Sequence, residues 1–438
     1  MERNRYADLL RVGALGLVVI GHWLVTDITY RHGQLSGLDA LYYIRWGRWV
    51  TLFFQVMPVF FLVGGYVNAI SWVDHKASGE TWAGWARGRA LRLLWPAAVY
   101  VAVAVIAVSA ARLAGVGRLA LAEAAWFVAL QLWFLPVYLL LILLTPAMLA
   151  AHRRWGLAVP VVMAAGAGAV DAAAIGWHVP VIGFLNYLLV WGSMHQWGFG
   201  WREGWLGGPR WHAYALAGVG LVALVLLLTV GPFPIDMIGA GGPVQNTSPP
   251  SVALLALAAA QSGLLIAAEP AGRRMMATAG RWRVVSRLND ATMTVYLWHM
   301  APVVVVAVAL YPAGLAPQPG IGSWQWWALR SAWFAVLGLV LVPVTIGVMR
   351  LERPLARLPA GNAAMAGWWP QALLLAGIGG SMVGLARLAI AGFAPSGAPP
   401  VLVLVIFAAG LACTIAAGFP PQRHGWGAGA APREFVPS

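Results

Sequence analysis

Apolar runs of about 18 or more residues recur along the whole chain, and each is long enough to cross a bilayer as one helix. A composition of 61% hydrophobic and 10% charged residues is also unsuited to the surface of a soluble protein of 438 residues. We therefore predict an all-α polytopic membrane protein with the lipid bilayer as its solvent. Twelve runs are candidate spans: Ala7–Val25, Trp49–Trp72, Leu93–Ala111, Ala125–Leu149, Leu157–Ile175, Val179–Gly200, Ala213–Val230, Val252–Ala268, Ala291–Tyr311, Trp327–Met349, Trp368–Ile390 and Val401–Phe419.

A polar segment after the tenth run divides the chain. We predict a ten-span core over residues 1–358, followed over residues 359–438 by two further spans and a short tail. No small-residue cleavage pattern precedes the first run, so this run is predicted to remain as a span. The longest outer loop, Gly231–Ser251, is predicted to act as a lid or binding element, with Asn246 as a substrate-binding candidate.

Basic residues are divided unevenly between alternate loops, which predicts the orientation. With the N-terminus inside, 21 of the 28 lysine and arginine residues fall in inside segments, and both termini are predicted to be cytoplasmic. Lys76 is the only lysine, and this bias is typical of GC-rich coding, so a bacterial cytoplasmic membrane is predicted. The seven basic residues on the other side are Arg31, Arg45, Arg48, Arg112, Arg118, Arg330 and Arg387.

Several function classes are excluded. The net charge of +14 does not indicate nucleic-acid binding, because the arginines lie in short loops between apolar runs. Cys413 is the only cysteine, so neither a disulfide framework nor a CxxC site is possible. The sequence has no GxSxG elbow, P-loop or strand-preceded GxGxxG motif. No two histidines are three or four residues apart, and no metal site is predicted.

Two ionisable residues in the first run are the strongest functional candidates, because a charge within a span is costly. Arg11 and His22 are eleven residues apart, close to three helical turns, so both lie on one face about 16 Å apart along the axis. Arg11 either snorkels to the headgroups or holds a phosphorylated donor. His22 correspondingly either makes a hydrogen bond between helices or serves the reacting centre.

Further candidates lie in later runs. Arg89 and Arg92 share a helical face at the start of the third run, where they either bind phosphate or determine topology. His195, His299 and Trp133 are predicted to contact substrate, although a lone helical histidine usually serves packing. Tryptophans near the run ends are predicted to form interfacial belts, namely Trp46, Trp49, Trp177, Trp201, Trp327, Trp368 and Trp369.

The segment RVGALGLVVIGHW, with Arg11 and His22, resembles the hallmark of the acyltransferase-3 family of membrane proteins. Four further segments are similar to motifs of this family and come in the same order: PVFFLVGGY (Pro58–Tyr66), RALRLLWP (Arg89–Pro96), LWFLPVYLL (Leu132–Leu140) and VYLWHMAP (Val295–Pro302). Two positions depart from the family pattern: Gly64 stands where many members have serine, and Gln131 where many have histidine.

The resemblance implies a donor of acyl-CoA, often acetyl-CoA, which binds from the cytoplasm as a co-substrate and not as a permanently bound cofactor. It also implies an acceptor hydroxyl on a glycan or a small molecule. Arg11 and His22 then form the essential pair, with His22 as general base or transient acyl carrier, and Arg89 and Arg92 form a donor-phosphate site.

Two other functions stay open. A transporter is favoured by twelve spans with both termini inside, but disfavoured by the lack of recognisable internal repeats. A glycan-binding or assembly protein without catalytic activity is the third possibility.

Overall fold

A computed structural model describes residues 4–239, 241–356 and 367–418, with the backbone alone at 353–356. Within these residues, helices dominate and the single sheet has two strands, so the predicted all-α class is confirmed apart from one hairpin. The helices are α1 (Arg5–Val25), α2 (Gly47–Phe54), α3 (Met57–Ala77), α4 (Trp82–Leu113), α5 (Arg118–Phe127), α6 (Phe134–Trp155), α7 (Ala158–Asp171), α8 (Asn186–Arg202), α9 (Arg210–Thr229), α10 (Val252–Ala267), α11 (Glu269–Met275), α12 (Ala279–Asp290), α13 (Thr292–Trp298), α14 (Ala301–Leu310), α15 (Trp324–Ala356), α16 (Trp368–Ala391) and α17 (Val401–Ala416).

The predicted number of twelve spans is not confirmed. Among the described residues, eight helices are long and apolar enough to cross a membrane, and two bent helix pairs raise the number to ten. The run predicted at Val179–Gly200 forms the 17-residue helix α8, which begins late because Val181 has a φ of 65° that no α-helix contains. The run predicted at Val401–Phe419 forms α17, whose 16 residues extend about 24 Å.

Both bent pairs break next to a proline. α10 and α11 meet at 53°, with Pro270 in the first turn of α11, and α13 and α14 meet at 42°, with Pro302 in the first turn of α14. Proline has no backbone N–H, so each break removes one hydrogen bond to the preceding turn. The second break places His299 at the junction, between the end of α13 and the start of α14.

A β-hairpin follows α1 directly and was not predicted. Strands β1 (Thr26–Arg31) and β2 (Gln34–Asp39) pair antiparallel. They are joined at His32 and Gly33, whose φ angles of 50° and 77° are the positive values that a two-residue hairpin turn requires. The hairpin thus continues the chain beyond the His22 end of α1.

Glycines set the spacing of α3 and α8. A Cβ atom at Gly65 would lie 2.1 Å from the carbonyl oxygen of His195, and one at Gly198 would lie 2.3 Å from that of Leu62. No larger residue fits at either position without moving a backbone. Close approach of this kind through small residues is common where membrane helices pack.

The last two described helices pack on the core. Arg87 of α4 is buried, and it donates to the carbonyl oxygens of Thr414 (3.0 Å) and Ile415 (2.8 Å) at the end of α17. In the connection between α16 and α17, Phe393 is fully buried and its ring lies 6.1 Å from that of Tyr100 in α4. The domain boundary predicted at residue 358 lies outside the described residues and stays a prediction.

Candidate functional site

Two histidines from distant parts of the chain meet at one end of α1. The Nδ1 atom of His22 lies 2.7 Å from the Nε2 atom of His299, and the ring planes differ by only 14°. His299 is fully buried, whereas His22 is partly exposed. The sequence singled out both residues but did not predict that they pair.

Hydrogen bonding fixes which nitrogen carries each proton. The Nδ1 atom of His299 lies 2.7 Å from the carbonyl oxygen of Tyr296, which can only accept, so Nδ1 of His299 carries the hydrogen. In the neutral ring Nε2 of His299 is then an acceptor, and His22 must donate to it from Nδ1. The lone pair of His22 therefore lies on Nε2, which accepts no hydrogen bond from the described residues. This is the protonation state that a general base needs.

A buried ion pair holds the His22 end of α1. Nη2 of Arg330 lies 2.6 Å from Oδ1 of Asp27, and the two side chains are only 8% and 14% exposed. Arg330 also donates to the carbonyl oxygen of Thr26 (3.0 Å), where a cation complements the negative end of the helix dipole. The indole of Trp23 donates to the carbonyl oxygen of His299 (2.7 Å). These contacts join α1, α15 and the break after α13, so the position of each histidine depends on the other.

A second set of hydrogen bonds, centred on Gln131, holds α13 in place. The hydroxyl of Tyr296 donates to the backbone oxygen of Gln131 (2.6 Å), and the side-chain amide of Gln131 donates to the carbonyl oxygen of Leu297 (2.8 Å). The same amide nitrogen lies 2.8 Å from the Tyr100 hydroxyl. Gln131, one of the two positions where the sequence departs from the pattern of the family that it resembles, therefore has a structural role in this chain.

Three arginines lie together at the other end of α1. The guanidinium of Arg89 lies beside the Tyr138 hydroxyl. It is also close enough to the guanidinium groups of Arg11 and Arg92 to be repelled by their positive charges. Arg89 donates to Oδ1 of Asn68. An anion with several oxygens would reduce the repulsion among these cations and accept their hydrogen bonds.

Neutral and acidic side chains complete this arginine cluster. Arg11 donates to Oδ1 of Asn289 in α12 (3.2 Å) and lies 3.9 Å from the buried carboxylate of Asp8. Gly64 packs against Tyr138, because a Cβ atom there would lie 2.6 Å from the tyrosine ring. The glycine that departs from the family pattern therefore leaves the space that Tyr138 occupies next to Arg89.

Aromatic rings connect the arginine cluster with the histidine pair. From Tyr138, beside Arg89, the next ring is that of Phe134 at 5.1 Å, followed by Tyr296 at 5.5 Å from Phe134. The ring of Tyr296 lies 6.2 Å from that of His299. Along α1 the two ends of this row are Arg11 and His22, about 16 Å apart.

The remaining predicted site residues lie around this row or away from it. Trp133 is half-buried and packs 5.6 Å from Trp191. His195 is fully buried on α8, and its Nε2 atom lies 3.5 Å from Nδ2 of Asn68, so it contacts the support of Arg89 and not the histidine pair. Asn246 is also fully buried, and its amide donates to the backbone of its own loop at Pro234 and Asp236 (both 2.8 Å).

Several contributors were not singled out from the sequence, and one tryptophan was misplaced. Asn68 and Tyr138 are polar residues within apolar runs, a signal that points to them in retrospect. Asn289 and Asp27 carry no such signal. Trp201, predicted to lie at the membrane interface, is instead 3% exposed, and its indole donates to Oε2 of Glu269 (2.7 Å).

In the part of the chain that the structure describes, no group of three or more His, Cys, Asp or Glu side chains is arranged to hold a metal ion.

Comparison with known proteins identifies one family. Searches of curated proteins and of solved structures gave no match. A family model described as an acyltransferase domain matches residues 4–350, which include the histidine pair and the arginine cluster. The chain therefore belongs to the acyltransferase-3 family and is a membrane protein with an acyltransferase domain.

Proposed function

We propose that the protein transfers an acyl group, in the simplest case acetyl, from acyl-CoA to a hydroxyl of a glycan or small molecule. The observation that carries this proposal is the histidine pair, in which His299 orients His22 so that the lone pair on Nε2 is available. A hydroxyl is a poor nucleophile at neutral pH, and a positioned base is the group that this reaction requires.

The histidine pair can both remove and return the proton that the reaction moves. Nε2 of His22 removes the proton of the acceptor hydroxyl as its oxygen attacks the thioester carbonyl. The tetrahedral intermediate then collapses, the carbon–sulfur bond breaks, and the protonated His22 returns the proton to the departing sulfur, which leaves as the free thiol of CoA. His299 accepts the Nδ1 hydrogen throughout and keeps the ring of His22 oriented. Direct transfer needs no covalent intermediate on the protein.

The arginine cluster supports the identity of the donor. CoA carries phosphate groups at one end and the reactive thioester at the other, with an extended arm between them. Arg11, Arg89 and Arg92 suit the phosphates, because guanidinium groups bind them bidentately. The arm then follows the aromatic row to His22 over the distance of about 16 Å that α1 sets.

Release of free CoA tests the proposed function. The purified protein should release CoA from acetyl-CoA in the presence of a hydroxyl acceptor such as methyl glucoside, and the acetyl group should appear on the acceptor by mass spectrometry. Hydrolysis without transfer, or no consumption of the thioester with any acceptor, would contradict the proposal.

The donor site gives a separate prediction. Replacing Arg89 and Arg92 together by glutamine should weaken acyl-CoA binding by at least about tenfold, because hydrogen bonds to charged groups contribute roughly 1.5–3 kcal/mol each. Equilibrium binding of acetyl-CoA to the purified variant measures this effect. Arg154→Gln with Arg350→Gln is the matched control, since it removes the same charge from two exposed arginines elsewhere. Equal affinity in both double variants would leave Arg89 and Arg92 as determinants of topology.

The proposal includes an orientation in a bacterial cytoplasmic membrane. Arg5 donates to the backbone oxygen of Met276 (3.3 Å), so the start of α1 and the arginine-rich segment around α12 share one side, which we infer to be cytoplasmic. Reporter fusions at Arg154 and Arg283 should report the cytoplasm, and a fusion at Asn246 the outside. An outside report from Arg283 would contradict the proposed access of acyl-CoA.

The transporter alternative gains no support from the described residues. Bent helices are a feature that transporters share, and the described residues contain two bent helix pairs. However, the two bends follow each other in the chain, and the second has a local role because it brings His299 to His22.

A further inference from the structure

Two helices have no role in the site described above. The family model ends at residue 350, so α16 and α17 lie beyond the acyltransferase domain. The two helices pack closely on each other, because a Cβ atom at Gly384 would lie 2.6 Å from the Cβ atom of Phe407, and one at Gly410 would lie 2.4 Å from the backbone nitrogen of Ser381. We call α16, α17 and the residues between them the C-terminal helix pair.

The C-terminal helix pair packs on the part of the core that supports α13. α16 lies against α6 and against the short 3-10 helix Leu130–Trp133, which contains Gln131. At the connection between α16 and α17, the backbone N–H of Phe393 donates to the carbonyl oxygen of Ala125 (3.5 Å). The pair is therefore in direct contact with the segment that carries Gln131.

Aromatic rings lead from the connection to the residue before His299. The ring of Phe393 lies 6.1 Å from that of Tyr100, and both side chains are buried. On its other contact, the ring of Tyr100 lies 5.0 Å from that of Trp298, and the two planes are perpendicular. Trp298 ends α13 and directly precedes His299. A movement of Tyr100 therefore displaces the end of α13.

Tyr100 is also hydrogen-bonded to the support of α13. Its hydroxyl donates its one hydrogen to the carbonyl oxygen of Val128, so it accepts from Nε2 of Gln131 (2.8 Å). The same Nε2 atom donates to the carbonyl oxygen of Leu297 (2.8 Å), two residues before His299. Both bonds of Gln131 are buried, where a lost hydrogen bond is costly, so Tyr100, Gln131 and the end of α13 are held as one unit.

We infer that the C-terminal helix pair positions His299 and that Phe393 is the positioning residue through which it acts. Phe393 fills the space beside Tyr100 and thereby fixes Gln131 and Trp298. The inference rests on the proposed function, because it concerns how His299 orients His22. Without the ring of Phe393, the end of α13 shifts and Nε2 of His299 moves away from Nδ1 of His22.

Phe393→Ala tests the inference, with Phe407→Ala as the matched control. Both variants remove a buried ring from the helix pair, but Phe407 packs against Gly384 within the pair. With acetyl-CoA and methyl glucoside, we expect Phe393→Ala to lower kcat by up to about 100-fold, the loss that a misplacement of ~1 Å can cause, and to keep the affinity for acetyl-CoA. Phe407→Ala should change neither. Phe393→Leu should lower kcat less, and it provides the test if the alanine variant does not fold.

A double-mutant cycle shows whether the effect acts through His299. In His299→Leu the orientation of His22 is already lost, so adding Phe393→Ala should cause no further fall in kcat. The inference would be overturned by an unchanged kcat in the folded Phe393 variants, by an equal loss in Phe407→Ala, by a parallel loss of acetyl-CoA affinity, or by effects that add to His299→Leu. Each of these results leaves the proposed function intact, whereas no CoA release by the unaltered protein would overturn both.

Discussion

Replacing His22 by alanine should reduce acyl transfer by about 100- to 10,000-fold, the range that a positioned base contributes. Acyl-CoA should still bind, because the arginine cluster lies about 16 Å away along α1, and the protein should still accumulate in the membrane. Single-turnover measurement of acyl transfer, together with equilibrium binding of acetyl-CoA, separates the two effects.

Glutamine at position 22 sharpens this test. His22→Gln keeps a side chain that can donate to Nε2 of His299, but it cannot take a proton at neutral pH. The loss of transfer should therefore be as large as in His22→Ala. His212→Gln is the control, since the one hydrogen bond of His212 among the described residues is to the backbone oxygen of Trp205 (2.8 Å), away from the histidine pair. Near-normal transfer by His22→Gln would mean that His22 is structural, and His299 would be the next candidate base.

The partner histidine can be tested separately. His299→Leu removes the acceptor that orients His22, so kcat should fall while acetyl-CoA affinity is kept. His299→Gln can accept the Nδ1 hydrogen of His22 through its side-chain oxygen and should recover part of the loss. The difference between these two variants reports orientation of His22, which a general packing defect would not reproduce.

The second large effect concerns stability. Arg330→Met should lower the free energy of unfolding by about 3–5 kcal/mol, because it leaves the carboxylate of Asp27, which is only 14% exposed, without its charged partner. The thermal midpoint of the purified variant in detergent should fall accordingly. Arg153→Met, which breaks an ion pair whose arginine is 49% exposed, is the matched control and should change the midpoint little.

A double variant separates pairing from packing. Asp27→Leu with Arg330→Met removes both charges, and replacing both partners of a buried ion pair is commonly neutral or stabilising. The midpoint should therefore recover most of the loss seen in Arg330→Met. A double variant as unstable as the single one would show that the hydrogen bonds of Arg330 to the end of α1 dominate, and not its pairing with Asp27.

The sequence predicted those parts of the site that depend on local geometry. Arg11 and His22 share a helix face because their spacing is close to three turns, and α1 contains both without interruption. Likewise, Arg89 and Arg92 lie on one helix, α4. The family model confirms membership of the acyltransferase-3 family, which these motifs indicated.

Contacts between distant positions were beyond this reasoning. His22 and His299 are 277 residues apart, and their hydrogen bond depends on how α13 packs against α1. Asp27 and Arg330 are 303 residues apart, and no periodicity relates them. The number of spans is not confirmed, in part because hydropathy does not reveal the positive φ of Val181, which precedes α8 and leaves this helix only 17 residues long.

One missed element did carry a sequence signal. The segment from Thr26 to Asp39 contains the β-branched residues Thr26, Ile28 and Thr29 before His32 and Gly33, a dipeptide that suits a tight hairpin turn. Hydropathy does not reveal the hairpin, because the apolar runs on either side dominate the pattern.

Arg11 and His22 both lie on α1, and this has a consequence for sequence divergence. One inserted residue between Arg11 and His22 would shift His22 by about 1.5 Å and rotate it by about 100°, away from His299. Substitutions at the positions between them change neither the length nor the rotation. Natural variants of this protein should therefore tolerate changes of side chain at the exposed positions Gly13, Gly16 and Ile20 but not insertions or deletions.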